Sequence, residues 1–141
     1  MWQTDYHNRL ADWANLRKQC NTLPLIDQLK LVNLWWGKAP IVNRAVHWNE
    51  VEFWPTPWEL LTNSGYCDLA KALGIAYTLI LLDKPLYQKL EIADTDQDNL
   101  VLVDSGKYIL NWAPNELLNI HSNPIKVSRS IDSDALSSFI L

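Results

Sequence analysis

The 141-residue sequence predicts an α+β fold, with N-terminal helices packed on a roughly four-stranded antiparallel sheet. Three observations predict it. Apolar residues recur at helical spacing through the first half; residues 75–83 form a nearly continuous apolar run; and three short β-rich pieces, parted by turn-forming residues, follow Pro85. The boundaries expected are one α+β domain over residues 1–120 and a C-terminal arm over 121–141.

Each element has its own warrant. In residues 4–20, Thr4 is a candidate N-cap, and Leu10, Trp13, Ala14 and Leu16 mark a narrow helical stripe. Pro24 suits the first turn of a second helix, Ile26, Leu29, Val32, Trp35 and Trp36 line one face, and Gly37 stands where a C-terminal cap belongs, predicting a helix over 25–36. Residues 38–54, broken by Pro40, read equally as a short helix or an extended connector. In TPWELL, Thr56 is the N-cap, Pro57 the first helical residue and Glu59 the partner that completes a capping box. Asn63-Ser64-Gly65 ends that helix, and CDLAKALG opens another with Cys67 in its first turn and Gly74 as its stop. IAYTLILLD, 75–83, then reads as a central strand buried on both faces. Strand-like pieces near 88–93, 99–104 and 107–112 complete the sheet, with Ser105-Gly106 as a hairpin-type turn. The serine-containing tail beyond His121, with Pro124 and a final FIL, is expected to be loosely ordered.

Composition narrows the function. The net charge of −4 comes with dispersed Lys and Arg, which leaves no electrostatic footprint for nucleic acid. No stretch approaches the roughly 18 apolar residues of a membrane span, and the N-terminus lacks the layout of a signal peptide, so a soluble protein made in a cytosol is expected. Cys20 and Cys67 are too few and too far apart for a disulfide framework or a zinc site and are expected as free thiols. No cofactor is expected. Eight tryptophans in a chain this short demand burial in a core or against a partner.

Cys67 raises a chemical question. A thiol at a helix N-terminus feels the partial positive charge there, which favours the thiolate. A cysteine-bearing helix followed by an antiparallel sheet that supplies a histidine and an Asp or Asn is the layout of papain-like thiol enzymes. The strings WPTPWELL, GYCDLA, LGI, LVLVD and YILNW, across residues 54–112, resemble the transglutaminase-like cysteine peptidases of bacteria. That resemblance implies a minimal transglutaminase-like or papain-like core. It also implies where histidine and aspartate should stand, and there this chain has Asn99 and Asn111, while Tyr66 replaces the aspartate before the cysteine. An asparagine amide accepts no proton at neutral pH, so the site implied is a degenerate one of Cys67, Asn99 and Asn111 without a general base. The other histidines able to fold back are His47 and His121; an active thiol enzyme would use one of them as base and Asn111 to orient it. For His47 the competing expectation is a structural histidine bonded to Asn43 or Asn49.

A longer string, WWxxAPxVNxxxHWxxxxxWPTPWELL over residues 35–61 with YCDLAKALGIxYTL after it, resembles small proteins of tailed bacteriophages, especially T4-like phages of marine cyanobacteria. It implies a phage origin, a place in the virion after synthesis in the bacterial host cytoplasm, and other virion proteins or copies of itself as partners. Asp94, Asp96 and Asp98 alternate like the start of a calcium loop, but Asn99 and Ser105 occupy the positions that need glycine and glutamate, so a solvated turn and no metal site is expected. Trp35, Trp36, Trp48, Trp54 and Trp58 are expected mainly in core packing, with Trp48 and Trp54 the candidates for exposure.

The function these residues support is a non-catalytic structural or assembly component of a tailed-phage particle, acting through protein contacts. Its interaction candidates are Trp48, Trp54 and a docking arm ending in Phe139, Ile140 and Leu141. The alternatives are an amide hydrolase or transferase using Cys67, and an early phage protein that binds a host factor.

Overall fold

The computed structural model describes residues 2–42 and 46–140. Helices α1 (Tyr6–Cys20), α2 (Leu25–Gly37), α3 (Pro57–Leu61) and α4 (Asp68–Leu81) precede the sheet, with a 3-10 segment, Trp48–Phe53, between α2 and α3. Strands β1 (Leu90–Asp94), β2 (Asn99–Val103), β3 (Tyr108–Ala113), β4 (Glu116–Leu118) and β5 (Arg129–Asp132) follow, and helix α5 (Ser133–Ser137) ends the order. The sheet is antiparallel throughout, in the order β4-β3-β2-β1-β5.

The local signal acts as expected at the start of α3 and is off by one residue at α1. At α3 the Thr56 hydroxyl accepts from the Glu59 N–H and the Glu59 carboxylate accepts from the Thr56 N–H, a complete capping box. At α1 the cap is Asp5, one residue beyond Thr4, with its carboxylate accepting from the Asn8 N–H.

Residues 75–83 are not a strand. Residues 75–81 are the second half of α4, which runs through Gly74 without a break and ends in a turn at Leu82 and Asp83. A continuous apolar run has no periodicity to distinguish a buried strand from a helix buried all round, and α4 is the latter: every residue from Leu69 to Ile80 is buried. Gly74 does not stop the helix but lets another one approach. A Cβ there would lie 2.5 Å from the Trp36 ring of α2. One turn on, the Thr78 hydroxyl accepts from the indole N–H groups of Trp13 (2.9 Å) and Trp36 (3.0 Å) and donates to the Gly74 carbonyl (2.7 Å). Two tryptophans are thereby buried with their polar atoms satisfied. The sheet accordingly draws its strands from β1 onward, and the fifth comes from the tail.

The tail is part of the fold. Arg129–Asp132 pairs with β1 as an edge strand, and Leu136 of α5 is fully buried in the core. Phe139 and Ile140 pack against the same core, Phe139 with its ring 6.3 Å from that of Trp54. The expected docking arm over 121–141 therefore gives way to a strand and a helix, and Phe139 and Ile140 are held by this chain itself; Leu141 lies outside the described residues.

One core fills the space between the helices and the inner sheet face, centred on α4. On the outer face, Ala93, Leu100, Leu102 and Ile109 are covered by Leu118, Ile120 and Ile125.

Candidate functional site

The N-terminus of α4 points at the start of β2 and the middle of β3. Cys67 is the N-cap residue, extended at φ −75° and ψ 173°, and its thiol donates to the Val46 carbonyl at 3.8 Å. It lines an open cleft of about 620 Å³ together with His47, Trp48, Asp68, Asn99 and Arg129.

Asp68, the residue after the cysteine, organises the cleft. One carboxylate oxygen accepts from the Asn99 backbone N–H (2.7 Å) and the Asn99 amide (3.2 Å); the other accepts from the Asn111 amide (3.2 Å). The Asn111 amide also donates to the carbonyls of Asp68 (3.1 Å) and Asn99 (2.8 Å). Asn111 adopts a left-handed φ of 69°, a conformation asparagine tolerates better than most residues, and its backbone N–H donates to the Asn33 side chain at 2.9 Å. The last free acceptor of Asn99, its Oδ1, takes the Trp48 indole N–H at 2.7 Å. Burial pushes the Asp68 carboxyl above the usual carboxylate range, with Asp98 adding to the rise and the asparagine hydrogen bonds opposing it.

The sequence-derived positions therefore separate into two groups. Cys67, Asn99 and Asn111 come together around Asp68, and His47 lines the same cleft, although its ring makes no hydrogen bond with Cys67 or with another described residue. Asn43, the partner expected for His47, lies outside the described residues. His121 does not join them: it is exposed beyond β4, at the opposite edge of the sheet from β5. Trp48 is half-buried, and Trp54 is buried with its indole donating to the His47 carbonyl at 2.7 Å. Trp54 is therefore a core residue and not an exposed anchor.

A scan of the sequence against protein-family models finds no match, and a search of curated proteins finds none. Solved structures do match. Legionella pneumophila LapG in its calcium-bound form superposes with a TM-score of 0.71 at 19% identity over 93% of this chain and 78% of that one. The EGTA-treated form gives 0.71 at 20% identity over 94% of this chain and 76% of that one. The fold is transglutaminase-like. Within this transglutaminase-like core the cysteine is the N-cap residue of α4, and the two asparagines stand on adjacent strands and are hydrogen-bonded to Asp68, the residue next to it.

Two residues of the cleft, Asp68 and Arg129, and the role of a third, Trp48, left no clear signal in the sequence. Asp68 carried a weak signal, an acid in the first turn of a helix, which reads as complementing the dipole and hides its long-range partners. Arg129 sits over the Trp48 ring at 5.3 Å and pairs with Asp94 at 2.8 Å, a geometry that exists only once β5 joins β1. The role of Trp48 as a donor to Asn99 spans 51 positions and left no local trace. The acidic turn 94–98 is engaged internally: Asp94 accepts from the Asp96 N–H and from Arg129, and Asp96 accepts from the Ser128 hydroxyl.

Proposed function

We propose that this chain is a non-catalytic member of the transglutaminase-like fold that works through protein contacts, as a structural or assembly component of a tailed-phage particle. One observation carries the non-catalytic part. The strand position facing the cysteine holds Asn99, whose oxygen is taken by Trp48 and whose amide is taken by Asp68, so no group there can accept the thiol proton. The phage setting rests on the WPTPWELL-containing string over residues 35–61. With Phe139 and Ile140 committed to the core, the aromatic side chains most open to a partner among the described residues are Phe53 (77% exposed), Trp112 (53%) and Trp58 (41%).

The test is the reactivity of Cys67 toward iodoacetamide near neutral pH. The rate expected is no faster than that of an unactivated cysteine, and Cys67→Ala is expected to leave phage production intact. Asn99→His should raise the rate by about tenfold or more, because it returns an imidazole to the facing strand. Mass spectrometry of purified particles separates a virion component from an early protein that stays outside.

A second reading has a specific observation in its favour: His47 and Cys67 line one cleft. In that reading Cys67 attacks an amide carbonyl, with His47 as base. Labelling of Cys67 well above the unactivated rate, lost in His47→Ala, would replace the first reading with this one.

A further inference from the structure

A second, smaller cavity lies on the other side of Asp68, between the C-terminus of α2, the first turns of α4 and the β3–β4 turn. It has a volume of about 140 Å³, and its lining includes Gly37, Ile41, Lys71, Asn111, Trp112 and Pro114. Lys71 is the unusual member. It is only 7% exposed, yet its ammonium has one hydrogen bond with a described residue, at 3.4 Å to the Gly37 carbonyl. An ammonium has three N–H donors, so two remain without a described partner.

The nearest acid does not supply what is missing. Asp68 stands three residues earlier on the same helix, but both of its oxygens accept from Asn99 and Asn111, and the described residues contain a single ion pair, Arg129 with Asp94. Asn111 contributes the opposite kind of group. Its two amide N–H groups are shared among three acceptors, which leaves Oδ1 accepting from no described residue. Around these polar atoms stand apolar walls, Ile41 at 65% exposure and Trp112 at 53%. A buried cation with spare donors, an acceptor-bearing residue on the same cavity lining and an open apolar rim form an arrangement that a ligand completes.

The geometry points to a carboxylate-binding site: the Lys71 ammonium holds the carboxylate of a ligand while Asn111 Oδ1 accepts an N–H from the same ligand. The last residue of a peptide chain offers both groups on one backbone, and its side chain would lie against Ile41 and Trp112. Charge-assisted hydrogen bonds in a partly desolvated pocket are among the stronger polar contacts, so discrimination against an uncharged terminus follows.

The experiment titrates the full chain with acetyl-trialanine bearing a free C-terminal carboxylate, with its C-terminal amide, and with sodium acetate, following the Trp112 indole N–H resonance. A saturable shift with the free acid is expected, with binding of the amide and of acetate each weaker by about tenfold or more. Lys71→Met should weaken the free acid by a similar factor while keeping the fold, since methionine preserves most of the buried stem. Should that variant fail to fold, the acid-against-amide comparison on the unaltered protein still decides. Equal binding of acid and amide, or no saturable shift with either, overturns the proposal. Acetate binding as tightly as the peptide acid overturns the chain-terminus assignment and removes the role of Asn111.

Discussion

The two halves of α4 are built by opposite rules. From Gly74 to Leu81 the helix is buried and largely apolar, and its two side-chain hydroxyls are satisfied: Thr78 by two indoles and a carbonyl, and Tyr77 by donating to the Pro55 carbonyl at 2.7 Å. From Cys67 to Lys71 it carries a thiol, a carboxylate and an amine, each with groups turned toward cavities. The contrast teaches where this fold keeps its stability and where it keeps its chemistry. The inner half is held by packing that tolerates no change of volume, while the outer half is held by hydrogen bonds that cross between elements.

Substitutions along α4 can break or sharpen that contrast. The largest loss is expected at Thr78→Val, which keeps the shape and leaves the Trp13 and Trp36 N–H groups unpaired at full burial, at a cost of about 3 kcal/mol in urea unfolding. A cost below about 1 kcal/mol would mean that water reaches the indoles, and the inner half would not be the dry core described. Gly74→Ala should lose about 2 kcal/mol despite the better helix propensity of alanine, because the new methyl has to displace the Trp36 ring. A stabilised Gly74→Ala protein would show that α2 and α4 can part at little cost.

In the outer half, Asp68→Ala removes the acceptor of three donors on Asn99 and Asn111. About 2 kcal/mol of stability should go with it, together with the alignment of both asparagines, visible as shifted side-chain amide resonances. The pH dependence has a definite sign. The folded-state pKa of Asp68 is raised, so its native form binds more protons than the unfolded chain between the two values. The stabilisation from protonating Asp68 is fully present below the unfolded value of about 4 and is lost as pH rises through the folded value. Compared with Asp68→Asn, the unaltered protein should therefore gain relative stability as pH falls through that window; an unchanging difference between the two unfolding curves would refute the buried carboxylate. The smallest effect is expected at Cys67→Ala, within about 1 kcal/mol, since the thiol makes one weak 3.8 Å bond.

Cys20 supplies an internal reference for these measurements. At the end of α1 it is fully buried, and burial pushes its thiol up to about 11. In the folded protein it should react with iodoacetamide far more slowly than Cys67, which opens on a cleft. Comparable rates would place the two thiols in equivalent surroundings.

How much of this was legible depends on the range over which each feature is encoded. The α3 cap was readable because Thr56, Pro57 and Glu59 complete their hydrogen bonds within one turn. The strand pieces after Pro85 were readable because turn residues bracket them; β1, β2 and β3 fall within two residues of the spans expected. Gly74 misled because the same residue type serves as a helix stop and as a place for a neighbouring ring, and the sequence does not show Trp36 lying against it. The tail was misread because β5 exists only through its pairing with β1, some 35 residues earlier in the register Asp94 to Arg129. Of the cleft, Cys67, Asn99 and Asn111 were visible as residue types on a resembling pattern, whereas Asp68 was one more acid in a first helical turn.

Taken alone, the sequence determined the α+β class, the capped start of α3 and the cysteine at a helix N-terminus. These follow from short-range rules: periodicity, caps and turns. Only the tertiary structure decided that residues 75–81 are helix, that the tail closes the sheet, and that Asp68 ties two strands to the cysteine helix. Each of those depends on what a residue meets from a distant part of the chain, and burial, pairing and long-range hydrogen bonds leave no mark in local spacing.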